Sequence, residues 1–244
     1  TCMLANQEKK FHHIHFVGIG GAGMSGLAEV VYSQGYKVSG SDLTETSVTH
    51  RLRALGITVH IGHCPEHVDH VDLVVMTSAV KTSNPEIIAA RANKIPVLKR
   101  AQMLAELMRL KRGIAIAGTS GKTTTTSLLA SIMHAAKLDP TFIIGGKVNS
   151  VEANAKLGLG EFLLAEADES DASFLYLNPE IAVITNINPD HLYNYEQRFD
   201  LLKQAFFDFL QQLPSEGLAV LCADDPNVAE LLEKTNCPMK SYGF

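Results

Sequence analysis

The sequence predicts an α/β protein made of two successive domains, each built on a parallel sheet. Short apolar runs alternate with helical patterns along its 244 residues, the rhythm expected of βαβ units. The rhythm restarts near Gly113. Each half also opens with a strand, a glycine loop and a helix: "GIGGAG" at 18–23 and "GTSGKT" at 118–123. We therefore expect a Rossmann-like, doubly wound domain over residues 1–110. A P-loop-type α/β domain is expected over 111–244, incomplete at its C-terminus.

In the first half, "HIHFVGIG" reads as a strand, "GMSGLAEVVYSQG" as a helix and "YKVSGSD" as a second strand. "SVTHRLRALG" is helical, "ITVHIG" extended and "DLVVMTSAV" another strand. "NPEIIAARANK" is a helix with Asn84 as its cap and Pro85 in its first position, where a missing N–H costs nothing. "KRAQMLAELMRLKRG" is a connecting helix. In the second half, "GIAIAG", "FLLAEAD", "EIAVITNI", "GLAVLCADD" and the final "CPMKSYGF" read as strands. "GKTTTTSLLASIMHAAK" and "FDLLKQAFFDFLQQL" read as helices.

Composition narrows the function. Apolar residues make up 46% and charged residues 19%, as in ordinary globular proteins. The net charge of −5 and the lack of a basic block argue against a nucleic-acid surface, which must neutralise phosphates. No apolar run approaches the roughly 20 residues needed to cross a bilayer, so membrane insertion is not expected. Cys2, Cys64, Cys222 and Cys237 are widely spaced, which suits reduced thiols in a cytoplasm. No secretory leader is read at the N-terminus, and a chain opening on Thr1 reads as trimmed.

Gly18, Gly20 and Gly23 fit G-x-G-x-x-G between a strand and a helix. Such glycines let backbone N–H groups approach a diphosphate at a helix N-terminus. Asp42 follows the next strand, where a carboxylate can bond a ribose or base. NAD and a UDP-sugar both carry a diphosphate, and the loop leaves the two open.

The second loop runs Gly118-Thr119-Ser120-Gly121-Lys122-Thr123-Thr124. Its ending matches G-K-[ST], although Ile116 stands where the P-loop pattern places its first glycine. Successive N–H groups from 119 to 124 are expected to cradle ATP phosphates. Lys122 would add charge to that cradle, and the Thr123 hydroxyl would join a Mg2+ shell. Four threonines in a row are costly at a helix start unless hydroxyls there face an anion. On "FLLAEADESD", Glu166 is the expected metal ligand, while Asp168, Ser170 and the later acids are expected to cap. His191 and Asn186 follow the next strand. Asn186 is expected to bond phosphate or substrate.

His60, His63, Cys64, His67 and His70 have spacings a zinc site could use, yet the stretch carries Pro65 and reads as a solvated loop. His13 and His15 are expected to point outward from the first strand.

Taken together, "HFVGIGGAGMSGLAEV", "SGSDL", "TSAV", "AGTSGKTTTTS", "EADESDASF", "TNINPDH" and "GLAVLCADDPN" resemble the Mur ligases of bacterial peptidoglycan synthesis. The resemblance spans nearly the whole chain. It implies a three-domain enzyme whose first domain holds a UDP-linked substrate, whose middle domain holds ATP and Mg2+, and whose third brings an amino acid. By this resemblance Gly18, Gly20, Gly21, Gly23, Met24 and Ser25 cradle the diphosphate, and Asp42, Ser78 and Ala79 lie near the uridine. Gly121, Lys122, Thr123 and Thr124 hold the ATP phosphates, and Thr123, Glu166 and His191 serve the metal. Lys122, Glu166 and His191 are then the residues closest to the chemistry.

The implied partners are UDP-N-acetylmuramate and L-alanine, joined through an acyl phosphate. A sister reading attaches a tripeptide to the same sugar nucleotide, and a third is a non-catalytic nucleotide-binding module. A homodimer is left open. The resemblance also implies that the chain stops inside the middle domain, so that it would bind ligand without ligating. Two positions depart from the family pattern: Ser120 replaces a His or Asn, and Tyr193 replaces an Asp.

Overall fold

The computed structural model describes residues 11–144, 155–234 and 237–244. Thr1 and Cys2 lie outside the described residues. The chain divides into two compact units, with Glu106 ending the main stretch of the first and Leu107 beginning the second.

The first unit contains β1 (His13–Val17), α1 (Ala22–Ser33), β2 (Lys37–Asp42), α2 (Ser47–Ala54), β3 (Thr58–Ile61), β4 (Leu73–Met76), α3 (Pro85–Ala92), β5 (Val97–Lys99) and most of α4 (Arg100–Met108). Its sheet has the order β3-β2-β1-β4-β5, and every pair is parallel. The chain starts at β1, moves outward to β3, then crosses to β4 on the other side. The order therefore reverses between β1 and β4, where doubly wound sheets open a crevice at their carboxyl ends.

Local chemistry sets the helix starts. Thr46 and Thr49 bond each other's backbone N–H groups in a capping box before α2. Asn84 accepts the N–H of Glu86 at 2.9 Å with Pro85 in the first turn of α3. Val17, Val68, Val71, Val74, Ile87 and Ala90 close one side of the sheet.

The second unit contains β6 (Arg112–Ala117), α5 (Lys122–Ala135), β7 (Thr141–Ile143), β9 (Phe162–Glu166), β10 (Ile181–Ile184), α6 (Phe199–Gln211), β11 (Leu218–Cys222), α7 (Pro226–Leu232) and β12 (Met239–Tyr242). Its own strands run β12-β11-β10-β6-β9-β7, and β8 is the short strand Ala155–Lys156. The pairs β6–β9 and β6–β10 are parallel. The strand that feeds the second glycine loop is therefore central, and the ends of β9 and β10 flank that loop.

Ile114, Ile116, Ala130, Met133, Phe142, Ile144 and Leu164 pack α5 on this sheet. On α6, Leu202, Ala205, Phe206, Phe209 and Leu210 face inward. The Phe174 ring stacks on Phe209 at 5.0 Å and meets Phe206 edge-on at 5.2 Å, contacts that add to the area they bury.

Four elements differ from the sequence reading. β5, β7 and β8 are three residues or shorter, too short for a period to register. α7 is a full element, with Asp225 accepting the N–H groups of Asn227 and Val228 at 2.9 Å. His15 is also not outward-facing: it is fully buried, because a strand inside a parallel sheet is covered on both faces. Among the described residues no helix is long and apolar enough to cross a membrane.

Candidate functional site

The first glycine loop leaves the end of β1 and enters α1. Gly18 and Ile19 donate to the Ser41 carbonyl at 2.8 and 3.0 Å, pinning the loop to β2. Gly20 N–H donates to Asp42 Oδ2 at 2.7 Å, and Leu43 N–H donates to Oδ1 at 2.8 Å. A Cβ on residue 20 would lie 2.7 Å from that carboxylate, so a larger side chain must displace it. Gly21 caps α1 with no side-chain bond, which leaves the positive end of the helix dipole to a ligand.

A cleft of about 790 Å³ opens over this loop. Its lining includes Gly18, Gly20, Gly21, Asp42, His63 and Ala79, from the carboxyl side of β1, β2, β3 and β4. Other expected residues sit elsewhere. Met24 and Ser25 are buried in α1, and Gly23 faces the Arg100 guanidinium. Ser78 is not among the lining residues. The Asp42 carboxylate already serves the loop itself.

The histidine-rich stretch is not a solvated loop. Glu86 is fully buried, and four groups converge on it. Ser41 Oγ donates to Oε2 at 2.6 Å, His63 Nδ1 lies 2.9 Å from Oε2 and His67 Nδ1 lies 2.7 Å from Oε1. His15 Nε2 stands 3.4 Å from Oε1. His60 stacks on His67 at 4.1 Å. Burial pushes the Glu86 carboxyl up, but the neighbouring His15, Ser41 and His67 outweigh it and hold the group at about 2. Burial lowers His60, helped by the neighbouring His67 and His15 charges.

In the second unit, β6 ends at Ala117 and the chain turns at Gly118, whose φ is +138°. A Cβ at Gly118 would meet Thr185 Oγ1 at 2.0 Å. The next two N–H groups are spent internally. Thr119 N–H donates to the Asn186 carbonyl at 3.1 Å, and Ser120 N–H donates to Asn186 Oδ1 at 2.9 Å. The Ser120 carbonyl accepts from Asn186 Nδ2 at 2.9 Å and from Thr185 Oγ1 at 2.7 Å. Thr119 and Ser120 therefore do not offer N–H groups to an anion, contrary to the sequence expectation. Asn186 is a strut under the loop rather than a free ligand donor.

The open part of the cradle begins at Gly121. This residue is left-handed and caps α5 without a side-chain bond. The first N–H groups of a helix have no intrahelical acceptor, and here they belong to Lys122, Thr123 and Thr124. Further along, Thr126 Oγ1 donates to the Lys122 carbonyl and Ser127 Oγ to the Thr123 carbonyl, at 2.8 and 2.7 Å. Thr126 is buried. The threonine run thus splits, with its start facing the open cradle and its end tied to the helix.

The four acids from the end of β9 onward have different surroundings. Glu166 ends the strand beside Ile116, and its Oε1 is buried without a hydrogen-bond partner. Asp168 Oδ1 accepts from Ser170 N–H and Oγ. Asp171 Oδ1 accepts from Ser173 N–H at 2.9 Å. Glu169 was expected among the caps, but its side chain turns inward and is fully buried. Its Oε2 accepts from Lys122 Nζ at 2.7 Å, and its Oε1 lies 3.1 Å from His191 Nδ1.

Lys122 Nζ also donates to the Gly118 carbonyl at 2.7 Å. His191 itself is half-exposed and sits at a positive φ of 57°. Tyr195 donates its hydroxyl to the Glu169 carbonyl at 2.5 Å. Burial, and then the charges of Glu169, Asp171 and Asp168, push that phenol up. Tyr193, a departure from the family pattern, is largely exposed.

Among the described residues no group of three or more His, Cys, Asp or Glu side chains is placed to hold a metal alone. A Mg2+ ion does not need one, because it binds through one or two carboxylates plus phosphates and water. The orphaned Glu166 Oε1 is a hard oxygen donor of that kind, so the residues fit the ion.

A central strand leading into a glycine loop, followed by a helix start that carries Lys122 and has no side-chain cap, gives an α/β protein of the P-loop class in the second unit. The comparisons agree with this class. Residues 13–112 match the model of the Mur ligase family catalytic domain, and residues 116–244 match the Mur ligase middle domain. The chain belongs to the Mur ligase family.

It is 62% identical over 237 residues to the UDP-N-acetylmuramate–L-alanine ligase of Chromobacterium violaceum, covering 97% of this chain and 51% of that protein. It is 60% identical over 232 residues to the protein of the same name from Thiobacillus denitrificans, covering 95% and 50%. Among solved structures, UDP-N-acetylmuramate-alanine ligase from Thermotoga maritima matches with TM-score 0.81 and 36% identity, over 90% of this chain and 51% of that one. The UDP-N-acetylmuramate:L-alanyl-gamma-D-glutamyl-meso-diaminopimelate ligase from Neisseria meningitides matches with TM-score 0.86 and 29% identity, over 96% and 78%. The chain spans about half the length of the curated relatives it matches.

Proposed function

We propose that this chain carries the sugar-nucleotide and ATP sites of an enzyme that joins L-alanine to the lactyl carboxylate of UDP-N-acetylmuramate, in the cytoplasm of a bacterium. The observation that carries the reading is the α5 N-terminus, where a lysine and uncapped N–H groups meet beside an orphaned carboxylate. The high identity to relatives named for L-alanine favours that amino acid.

In this reading the UDP-sugar lies in the first cleft, with its diphosphate over Gly18–Gly21. ATP phosphates lie against Gly121, Lys122, Thr123 and Thr124. A lactyl carboxylate oxygen attacks the γ-phosphorus, ADP leaves, and an acyl phosphate forms. The L-alanine amine then attacks the acyl carbon, inorganic phosphate leaves, and the amine loses a proton. The protein's part is placement and charge, as in other phosphoryl transfers. Lys122 offsets charge on the transferring group. Thr123, Glu166 and His191 would hold Mg2+, which when bound offsets charge on the phosphate oxygens.

The test is a pair of calorimetric titrations on wild type and Lys122→Ala. The variant is expected to lose ADP binding while keeping UDP-N-acetylmuramate. Loss of neither, or of both in a folded variant, would refute the assignment. The match to the tripeptide-adding enzyme of Neisseria meningitides, with its TM-score of 0.86, supports a second reading. In the full-length protein, dependence of ATP turnover on L-alanine or on the tripeptide separates the two.

A further inference from the structure

We propose that Glu169 is a positioning residue that holds Lys122 and His191 on one buried carboxylate until nucleotide phosphate takes the lysine from it. This rests on the reading of the second glycine loop as the ATP site, and it adds a residue that the spacing of the motifs did not single out.

The geometry carries it. Glu169 has no solvent exposure, and each of its two oxygens has a different cationic or ring partner. Lys122 keeps only 16% of its side-chain exposure, and its ammonium is folded back onto Glu169 and the Gly118 carbonyl. Both contacts lie on the loop's own side, and neither is an anion from outside. A lysine that is to bind phosphate is therefore already neutralised in the free protein. A phosphate entering at the start of α5 meets the same ammonium and also a buried negative charge. One charge must be shared, and like charges in a poorly solvated site repel.

The backbone keeps Glu169 in this pose. Its carbonyl accepts from Tyr195 Oη at 2.5 Å and from the Ala172 N–H at 3.1 Å. Asn194 Nδ2 holds the next carbonyl, that of Ser170, at 2.9 Å. The segment after β9 and the turn that begins at His191 thus fix the carboxylate's place together. The consequence is a weaker grip on bare nucleotide and a lysine already aligned before nucleotide arrives.

The experiment measures binding of metal-free ADP by calorimetry to the wild-type chain, Glu169→Gln and Glu169→Asp. The neutral Gln variant is expected to bind ADP about tenfold more tightly, the effect of removing one competing charge. The Asp variant, which keeps the charge, is expected to stay near wild type. Simple loss of packing would weaken binding in both, so unchanged or weaker binding by Glu169→Gln overturns the proposal. Wild type that binds no ADP at millimolar concentration removes the ATP-site reading itself, and this inference with it.

A measurement on wild type alone covers the case of a variant that fails to fold. Side-chain 15N NMR is expected to show a slowly exchanging Lys122 ammonium in the free chain that shifts on ADP addition. A rapidly exchanging, solvent-like ammonium there also overturns the proposal.

Discussion

Asn186 grips Ser120 from both sides, accepting its N–H and donating to its carbonyl at 2.9 Å each. The end of β10 therefore sets the shape of the loop that follows β6. Asn186→Ala removes both bonds at an exposed turn, while the Ser120 carbonyl keeps the Thr185 hydroxyl. We expect the second unit to lose about 1 kcal/mol in urea unfolding and ADP affinity to fall. UDP-N-acetylmuramate affinity should stay unchanged, and its loss would return Asn186 to the sugar-nucleotide site.

Two glycines of the same loop should behave differently. Gly118 combines a φ of +138° with a clash at 2.0 Å for any Cβ, whereas Gly121 has a φ of +84° and open space around it. Gly121→Ala should cost only about 1 kcal/mol, the strain of a left-handed alanine. Gly118→Ala must also displace Thr185, and should cost at least twice that. Equal losses in denaturant titrations would show that the loop is softer than its hydrogen bonds suggest.

Acid should unfold the first unit partly through Glu86. Its carboxyl is held at about 2 against an ordinary 4.5. A lowered pKa adds stability that is fully present above about pH 4.5 and disappears as pH falls towards 2. The shift corresponds to roughly 3 kcal/mol at most. The stability difference between wild type and Glu86→Gln should therefore shrink by about that amount between pH 5 and pH 2. A gap that does not depend on pH would mean that the histidines do not hold the carboxylate charged.

The α6 core gives a control that contains no residue of either glycine loop. Phe209 is fully buried against Phe174, and Phe209→Ala should cost about 3–5 kcal/mol. In the fraction that stays folded, ADP and UDP-sugar affinities should match wild type by calorimetry. A selective loss of either would tie α6 to that site.

The parallel architecture was legible because parallel strands are buried on both faces and read as unbroken apolar runs such as "IAIA" and "FLLA". The two loops were legible because their glycines, and the GKT ending of the second, fall between strand and helix. α7 has a signal in the sequence as well, Asp225 before Pro226.

What could not be read is which way a side chain turns after its strand ends. Glu166, Asp168, Glu169 and Asp171 lie within six residues, and only the fold sends Glu169 to Lys122 and leaves Glu166 Oε1 alone. The partners of Glu86 come from β1, β2 and the segment after β3. Contacts so distant along the chain leave no local pattern.

The close fit of Gly20 against Asp42 makes these two positions a single unit of inheritance. A side chain at 20 must push the Asp42 carboxylate off the amide it serves, so a change at one position is felt at the other. Laboratory evolution started from Gly20→Ala should recover first at codon 42, and the loop's two halves should be transplanted together into any chimaera.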